Sequence, residues 1–248
     1  MWTTTIIGGR ECRLLQKGTG GPAFLRAYSP HEGDEEKRLE QYLSKQCPEA
    51  SFLVASFRVN DWNAELSPWK ASAAFGGEEF DGKGPELLSY VADKLVPWVR
   101  QSGFGEPAVA AENGCPDSEA ARCPVDGGLY LMGYSLAGLF SLWSLYESDV
   151  FSGAVCCSGS LWLDGWDAFA KEHSVKAPSR VYLSLGVKEE KTRNPLLSRV
   201  GDCTREQLAL LKQDAKVSAC TLEWNPGGHF ADAAERLAKG VQWILQQM

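Results

Sequence analysis

The sequence has no excess of positive charge and no long apolar run. Its 248 residues include 25 Lys and Arg against 32 Asp and Glu, so the formal net charge is −7. This balance provides no attraction to nucleic-acid phosphates or to anionic lipid, and it argues against both as partners. No stretch approaches the roughly 18 consecutive apolar residues that a membrane span requires. A small or uncharged molecule is therefore the expected partner.

The start of the sequence lacks the features of a secretory signal. Residues 1–7 carry neither the basic segment nor the apolar run of a signal peptide. A cytoplasmic location is therefore expected, and in a reducing compartment the eight scattered cysteines are expected to be free thiols. Cys156 and Cys157 lie in an apolar run, which predicts that they are small buried hydrophobic residues.

The cysteine spacing of a metal site is also missing. Cys115 and Cys123 lie in a polar segment, where they could pair or bind a metal. Neither belongs to a CxxC pair and no histidine is nearby, which does not favour zinc. The sequence therefore predicts no metal and no cofactor.

Short β-type runs alternate with amphipathic stretches along the chain. This pattern is typical of an α/β domain with a mostly parallel sheet and helices on both faces, and the length favours a single domain. The predicted strands are 22–29, 51–59, 129–134, 153–158, 180–185 and 219–224, and the predicted helices are 34–46, 85–101, 136–148, 205–215 and 231–247. Residues 3–8 and 12–16 are expected to form an opening hairpin, and the Gly- and Pro-rich stretch 103–128 is expected to be a surface loop insertion.

The segment 129–138 (LYLMGYSLAG) runs from an apolar strand through a serine and into a helix. This is the context of a nucleophile elbow, in which Ser135 adopts a strained conformation at a tight turn. Such a turn requires small neighbours, and Gly133, Ala137 and Gly138 meet that need. Alanine at 137 departs from the G-x-S-x-G pattern, and the alternative interpretation makes Ser135 a simple helix N-cap.

Histidine is scarce, and the three in the chain limit the choice of a base for Ser135. His229 lies in the segment NPGGHF between the last predicted strand and the last helix, and its glycines allow close approach to the serine. His173 is near a helix end and is expected to be solvated or to cap the helix. His31 follows an early strand and is expected to line the site without acting as base. The predicted base is His229.

A carboxylate is expected to orient the histidine, and Glu189 follows the strand-like segment 180–186 by three residues. Glu190 is the close alternative, and a third interpretation places both in a solvated charged run. The order Ser135, Glu189, His229 is the order of nucleophile, acid and base in the α/β-hydrolase fold, and it differs from the chymotrypsin-like and subtilisin-like orders. The sequence therefore predicts an α/β-hydrolase fold.

Two backbone N–H groups are expected to stabilise an oxyanion at this site. Leu136 begins the helix after the serine, so its N–H is the first expected donor. The second is expected from the loop at 27–33, where Pro30 has no N–H to donate. Ser29 and Tyr28 remain as candidates, and Ser29 is the predicted donor.

Several segments resemble the esterase family of α/β hydrolases that includes the esterase D-like enzymes and the siderophore esterases of catecholate trilactones. They are DWN at 61–63 with SPW at 67–69, GYSLAGLF at 133–140, SGSLW at 158–162, LSLGVKE at 183–189 with Thr192 and Asn194, and GGH at 227–229. The resemblance spans nearly the whole chain. It implies a cofactor-free carboxylic-ester hydrolase with Ser135 and His229 in the catalytic positions. It supports the acid loop at Glu189, although some siderophore esterases of the family resemble Ser–His dyads.

The resemblance further implies that Trp162, Asp61 and Trp62 lie at the mouth of the site and bind substrate, above the strand ends where ligands bind in open α/β sheets. The alternative is that the tryptophans only pack between loops and core. The predicted function is cleavage of a carboxylic ester through an acyl-enzyme. Hydrolysis of a siderophore trilactone or thioester, acyl transfer, and non-catalytic binding of a small molecule are the alternatives.

Overall fold

The computed structural model describes residues 1–30, 33–72, 79–102 and 125–248. Its central sheet has eight strands in the order β1-β2-β4-β3-β7-β8-β9-β10, and β5 pairs only with β6. The strands are Thr3–Ile7 (β1), Arg10–Lys17 (β2), Gly21–Tyr28 (β3), Phe52–Arg58 (β4), Lys70–Ala71 (β5), Phe80–Asp81 (β6), Val125–Tyr134 (β7), Gly153–Cys157 (β8), Ser179–Gly186 (β9) and Val217–Asn225 (β10). The opening hairpin β1–β2 joins β4 antiparallel, whereas β4, β3, β7, β8, β9 and β10 are parallel.

The helices that the structure describes connect these strands, except α8, which follows the last strand. They are Glu35–Gln46 (α1), Trp62–Leu66 (α2), Gly84–Tyr90 (α3), Val96–Ser102 (α4), Leu136–Glu147 (α5), Trp166–Glu172 (α6), Val200–Gln213 (α7) and Ala233–Gln246 (α8). A π-helical turn, Val91–Leu95, joins α3 to α4, and short 3-10 turns cover Glu189–Lys191 and Leu197–Arg199. In these parts of the chain, no helix combines the length and the apolar character needed to cross a bilayer.

Alternation along the strands separates two hydrophobic cores. In β7, Leu129 and Leu131 belong to one core while Tyr130 and Met132 belong to the other, because successive side chains of a strand point to opposite faces. The first core is covered by α3 to α7, and the second by α1 and α8. The sheet is therefore covered by helices on both faces, as the sequence predicts.

The structure extends or adds several elements. The strand predicted at 129–134 begins at Val125, which pairs with Gly21 across a bulge, so the end of the expected loop 103–128 belongs to β7. The rest of that loop, with Cys115 and Cys123, lies outside the described residues, as does His31. The sequence analysis missed α2, α6 and the pair β5–β6. These elements have two to seven residues each, too few to show a hydrophobic period.

Parallel strands end at a common edge of the sheet. Ser135 follows β7 directly, Glu189 follows β9 and His229 follows β10. Three residues that are far apart in the sequence are therefore brought to one edge, where ligands bind in open α/β sheets.

Candidate active site

Ser135 lies at the sharp turn between β7 and α5. Its backbone has φ 59° and ψ −123°, a conformation that residues with a side chain seldom adopt. Two hydrogen bonds hold the turn: the Ser135 N–H donates to the Cys157 carbonyl at 3.0 Å, and the Ser135 carbonyl accepts from the Ser160 N–H at 3.1 Å. Both partners follow or end the neighbouring strand β8, so the turn is held by the sheet.

Small residues allow this turn because the helix returns very close to the strand. A Cβ atom at Gly133 would lie 2.2 Å from the Ala137 carbonyl oxygen, so no other residue fits there. Ala137 is itself buried against the strand, and the departure from the G-x-S-x-G pattern is accommodated. Although Ser135 occupies the N-cap position of α5, its side chain makes no capping hydrogen bond. This argues against the N-cap alternative.

The Ser135 hydroxyl instead faces a histidine and a carboxylate in series. Ser135 Oγ lies 3.1 Å from His229 Nε2, and His229 Nδ1 lies 2.8 Å from Glu189 Oε2. A carboxylate can only accept, so His229 Nδ1 carries the proton that it donates to Glu189. In the neutral ring Nε2 is then free to accept the serine proton. The structure thus brings together the nucleophile, base and acid predicted from the sequence.

The structure separates the two adjacent acid candidates. The Glu189 carboxylate is buried beside His229, whereas Glu190 Oε2 accepts from Arg205 Nη2 at 2.7 Å on the outside. The 3-10 turn that contains both residues directs them to opposite sides. Glu189 therefore contacts the histidine, and Glu190 does not share its surroundings.

The Glu189 carboxyl is held in its ionised form. Burial by itself raises the pKa, but hydrogen bonds from His229, from the Ser158 hydroxyl at 2.6 Å and from the Gly186 N–H at 2.7 Å lower the pKa of Glu189 to about 2. An ionised carboxylate beside Nδ1 accepts its proton and thereby fixes the orientation and tautomer of the ring. The Nε2 atom is therefore the one left facing Ser135.

A buried arginine that the sequence did not predict as a site residue supports this carboxylate. Arg236 Nη1 donates to Glu189 Oε1 at 2.9 Å, to Ser158 Oγ at 2.8 Å and to Tyr134 Oη at 2.9 Å. In the sequence, Arg236 is one charged residue of an amphipathic helix, where solvent exposure is the ordinary expectation. Only the position of α8 beneath the histidine loop shows that it is buried.

The loop that carries His229 is held through its backbone. The Gly227 carbonyl accepts from the Lys188 N–H at 3.0 Å, and the His229 carbonyl accepts from Tyr134 Oη at 2.6 Å. Gly227 has φ 91°, which a residue with a side chain would adopt only with strain. The two loops that bear base and acid are therefore attached to each other and to the strand before Ser135.

Of the two predicted oxyanion donors, Leu136 follows Ser135 in the chain and Ser29 lies at the same sheet edge. Leu136 is the first residue of α5, and the leading N–H groups of a helix have no carbonyl partner within it. Ser29 follows β3, which pairs with β7 up to Arg26 and Met132. Ser29 and Ser135 each lie three residues beyond that last pair. Their roles as donors remain predictions.

The predicted substrate-binding residues lie on loops and short helices near this edge. Trp162 follows the segment that bonds Ser135, and its ring centroid lies 6.2 Å from that of Phe80. Trp62 packs against the first core from α2. Asp61 caps α2 by accepting from the Ala64 N–H at 3.0 Å. The two tryptophans pack as the alternative interpretation describes, and substrate contact stays a prediction for all three.

Other polar candidates lie away from this series. His173 Nδ1 lies 2.8 Å from the Phe169 carbonyl at the end of α6, as expected for a helix cap. The cysteines that the structure describes are free, and Cys156 and Cys157 are buried as predicted. Among the described residues, no group of three or more His, Cys, Asp or Glu is placed to hold a metal ion.

Solved structures of other proteins share this architecture. The siderophore hydrolase EstA from Aspergillus nidulans is 15% identical with a TM-score of 0.76, over 100% of this chain and 94% of EstA. An IroE-like serine hydrolase from Shewanella oneidensis is 13% identical with a TM-score of 0.74, over 98% of this chain and 79% of the other. A carboxylesterase from Bacillus cereus is 16% identical with a TM-score of 0.61, over 97% of this chain and 96% of the carboxylesterase. No protein-family model and no curated protein matches the sequence.

These likenesses establish the class of fold. The chain has the α/β-hydrolase fold, with a mostly parallel sheet of eight strands between two layers of helices. The fold predicted from the motif order is thereby confirmed. Ser135, Glu189 and His229 occur in the chain order nucleophile, acid, base that this fold uses, and their catalytic roles stay predictions.

Proposed function

We propose that this protein is a serine hydrolase that cleaves a carboxylic ester through an acyl-enzyme. The observation that carries the proposal is the hydrogen-bonded series from Ser135 Oγ through His229 to Glu189, built at a strained strand-to-helix turn. A serine hydroxyl has a pKa far above neutrality and needs such a base to act as nucleophile. The printed names of the structural neighbours, which include a serine hydrolase and a carboxylesterase, support the same class.

The first half of the proposed reaction forms the acyl-enzyme. His229 Nε2 takes the proton of Ser135 Oγ as the oxygen attacks the ester carbonyl carbon. The Leu136 N–H, with a second N–H near Ser29, stabilises the negative oxygen of the tetrahedral intermediate. When this intermediate collapses, the bond to the alcohol oxygen breaks and His229 returns the proton to the departing alcohol.

The second half repeats these steps with water. His229 takes a proton from water, the hydroxide attacks the acyl carbon, and Ser135 leaves with the proton from His229. Glu189 stays ionised throughout, since its lowered pKa keeps it charged at neutral pH. It keeps the proton of the neutral ring on Nδ1 and stabilises the ring when it is positive.

A siderophore ester is the second candidate substrate. The neighbour with a TM-score of 0.76 is named a siderophore hydrolase, and it is covered over 94% of its length. A hydrolysis panel of simple acyl esters, thioesters, lactones and a catecholate trilactone would separate this candidate from a general carboxylesterase. Added acceptor alcohols in the same panel would reveal acyl transfer as an ester product.

The decisive experiment compares two neighbouring serines. Ser135→Ala is expected to lose several orders of magnitude in kcat for an activated aryl ester and to lose labelling by a fluorophosphonate probe. Ser160 is the matched control because its Oγ lies only 3.5 Å from that of Ser135. Ser160→Ala is expected to keep covalent labelling.

Two results would contradict the proposal. Wild-type turnover by Ser135→Ala would exclude this serine as nucleophile. A wild-type protein that neither labels nor hydrolyses any ester of the panel would favour the non-catalytic binding alternative.

A further inference from the structure

We propose that Arg236 is a positioning residue that aligns the acid and base loops of this site, with Tyr134 as its partner on the nucleophile strand. The inference rests on the proposed function, because it concerns the same Ser135, His229 and Glu189. Arg236 contacts none of the reacting atoms. Its role is to hold Glu189 and the loop of His229 in place, so that His229 can transfer the proton.

The burial of Arg236 is the first argument. Its side chain is 2% exposed, and neighbouring positions of α8 are apolar and buried, including Ala234, Leu237 and Ala238. Removing a guanidinium group from water is costly unless its donors are satisfied, so packing alone would be served better by an apolar residue. Packing alone therefore does not account for an arginine at this position.

All five acceptors of Arg236 belong to the site. Nη1 reaches Glu189, Ser158 and Tyr134, while Nη2 donates to the Gly228 carbonyl at 3.0 Å and to the Pro226 carbonyl at 3.4 Å. Pro226 and Gly228 precede His229 in its loop. One planar group thus bonds the acid, the loop of the base and the strand that leads to Ser135.

The two carboxylate oxygens of Glu189 have separate partners. Oε1 accepts from Arg236, Ser158 and the Gly186 N–H, whereas Oε2 accepts from His229. The bonds to Oε1 set the rotation of the carboxylate and direct Oε2 at Nδ1. Without Arg236 the carboxylate would lose its charged partner and one of the bonds that define this rotation.

The hydroxyl protons of Ser158 and Tyr134 are both directed to acceptors other than Arg236. Ser158 has one hydroxyl proton, and its 2.6 Å contact directs it to Glu189. Burial raises the pKa of Tyr134, so the phenol is neutral and gives its single proton to the His229 carbonyl at 2.6 Å. Arg236 Nη1 lies within 2.9 Å of both hydroxyl oxygens and of Glu189 Oε1, and it shares its two N–H protons among these three acceptors. Tyr134 and Arg236 therefore fix His229 through its own carbonyl and through that of Gly228.

The test uses the full chain and an activated aryl ester. Arg236→Ala is expected to lower kcat by about 10²-fold while KM stays within about threefold, because misplacement by about 1 Å can cost that much and the residue does not touch substrate. Added guanidinium ion, below concentrations that shift the unfolding midpoint, is expected to restore kcat at least about tenfold by refilling the vacated space. Arg236→Lys is expected to keep more activity than Arg236→Ala.

Two further variants guard against a folding defect. Tyr134→Phe removes one hydroxyl and is expected to lower kcat by about tenfold with KM unchanged. Arg38→Ala is the control, since Arg38 is an exposed arginine that bonds Asp232 beside the same loop at 2.8 Å. It is expected to keep the wild-type kcat. If Arg236→Ala does not fold, the kcat of Tyr134→Phe tests the positioning role in its place.

The outcomes separate this inference from the proposed function. Wild-type kcat in Tyr134→Phe, or in folded Arg236→Ala, overturns the positioning role while an active wild type leaves the hydrolase proposal standing. A folded Arg236→Ala whose lost kcat guanidinium does not restore also overturns it. Full activity in Ser135→Ala would instead overturn the proposed function, and the positioning role with it.

Discussion

Two adjacent glutamates each pair with an arginine, and the two regions differ in almost everything else. Glu189 lies 2.9 Å from Arg236, with side-chain exposures of 3% and 2%. Glu190 lies 2.7 Å from Arg205, with exposures of 30% and 47%. The distances are alike, but the first pair lies beneath His229 and the second lies on the surface beside α7.

Burial, and not distance, decides how much such an ion pair affects the stability and geometry of the protein. A surface pair is screened by water and salt and contributes about 0–1 kcal/mol to stability. A buried pair stabilises little more than an apolar replacement would, but breaking it leaves an uncompensated charge, which costs about 3–5 kcal/mol. The buried pair therefore specifies a geometry, and the position of the histidine is part of that geometry.

The largest expected difference between the regions is in activity. Glu189→Gln is expected to lower kcat by about 10²- to 10⁴-fold, because the amide no longer stabilises a positive His229 and can offer a proton where Nδ1 needs an acceptor. Glu190→Gln is expected to stay within about twofold of wild type, since its partner is Arg205 alone among the described contacts of that carboxylate. Steady-state kinetics on one aryl ester measures both. Equal losses of kcat in the two variants would contradict the view that only the buried pair matters for activity.

The next difference concerns stability. Arg236→Met is expected to lower the free energy of unfolding by about 3–5 kcal/mol, because Glu189 stays buried without its cation. The matched surface change, Arg205→Met, is expected to cost about 0–1 kcal/mol. Urea unfolding followed by tryptophan fluorescence at neutral pH measures both. A small effect at Arg236 would mean that water reaches Glu189 when the arginine is absent.

The smallest expected effect is the dependence of stability on pH. In the folded protein the pKa of Glu189 is lowered from 4.5 to about 2. The stability that this lowering contributes is therefore fully present above pH 4.5 and is lost as the pH falls toward 2. At about 1.4 kcal/mol per pKa unit, it amounts to about 3 kcal/mol of unfolding free energy. The difference in unfolding free energy between wild type and Glu189→Gln should therefore narrow as the pH falls through this window. A difference that stayed constant would show that Glu189 is not the group that titrates.

Much of the site could be predicted because it depends on local chemistry and on chain order. The turn at Ser135 needs small residues, and Gly133 and Gly138 reveal that need in the sequence. His229 could be predicted because histidine is scarce and glycines precede this one. The short elements α2 and α6 could not be predicted, since a few residues carry too little periodicity.

The identity of the acid could be predicted only in part from the sequence. The sequence pointed to the loop after β9, but neighbouring glutamates of one charged run have the same composition around them. Only the direction of the 3-10 turn at Glu189–Lys191 decides which carboxylate is buried. Tertiary contacts, and not local preference, choose that direction.

By itself, the sequence determined the fold class, the serine at its turn and the histidine in its glycine loop, because backbone strain and close approach require particular small residues nearby in the chain. The tertiary structure alone decided that Glu189 and not Glu190 meets His229, and that Arg236 bonds both loops. These partners come from separate elements, 40 residues apart for His229 and Glu189 and 47 for Arg236 and Glu189. Their hydrogen bonds depend on burial that exists only once β9, β10 and α8 have packed together.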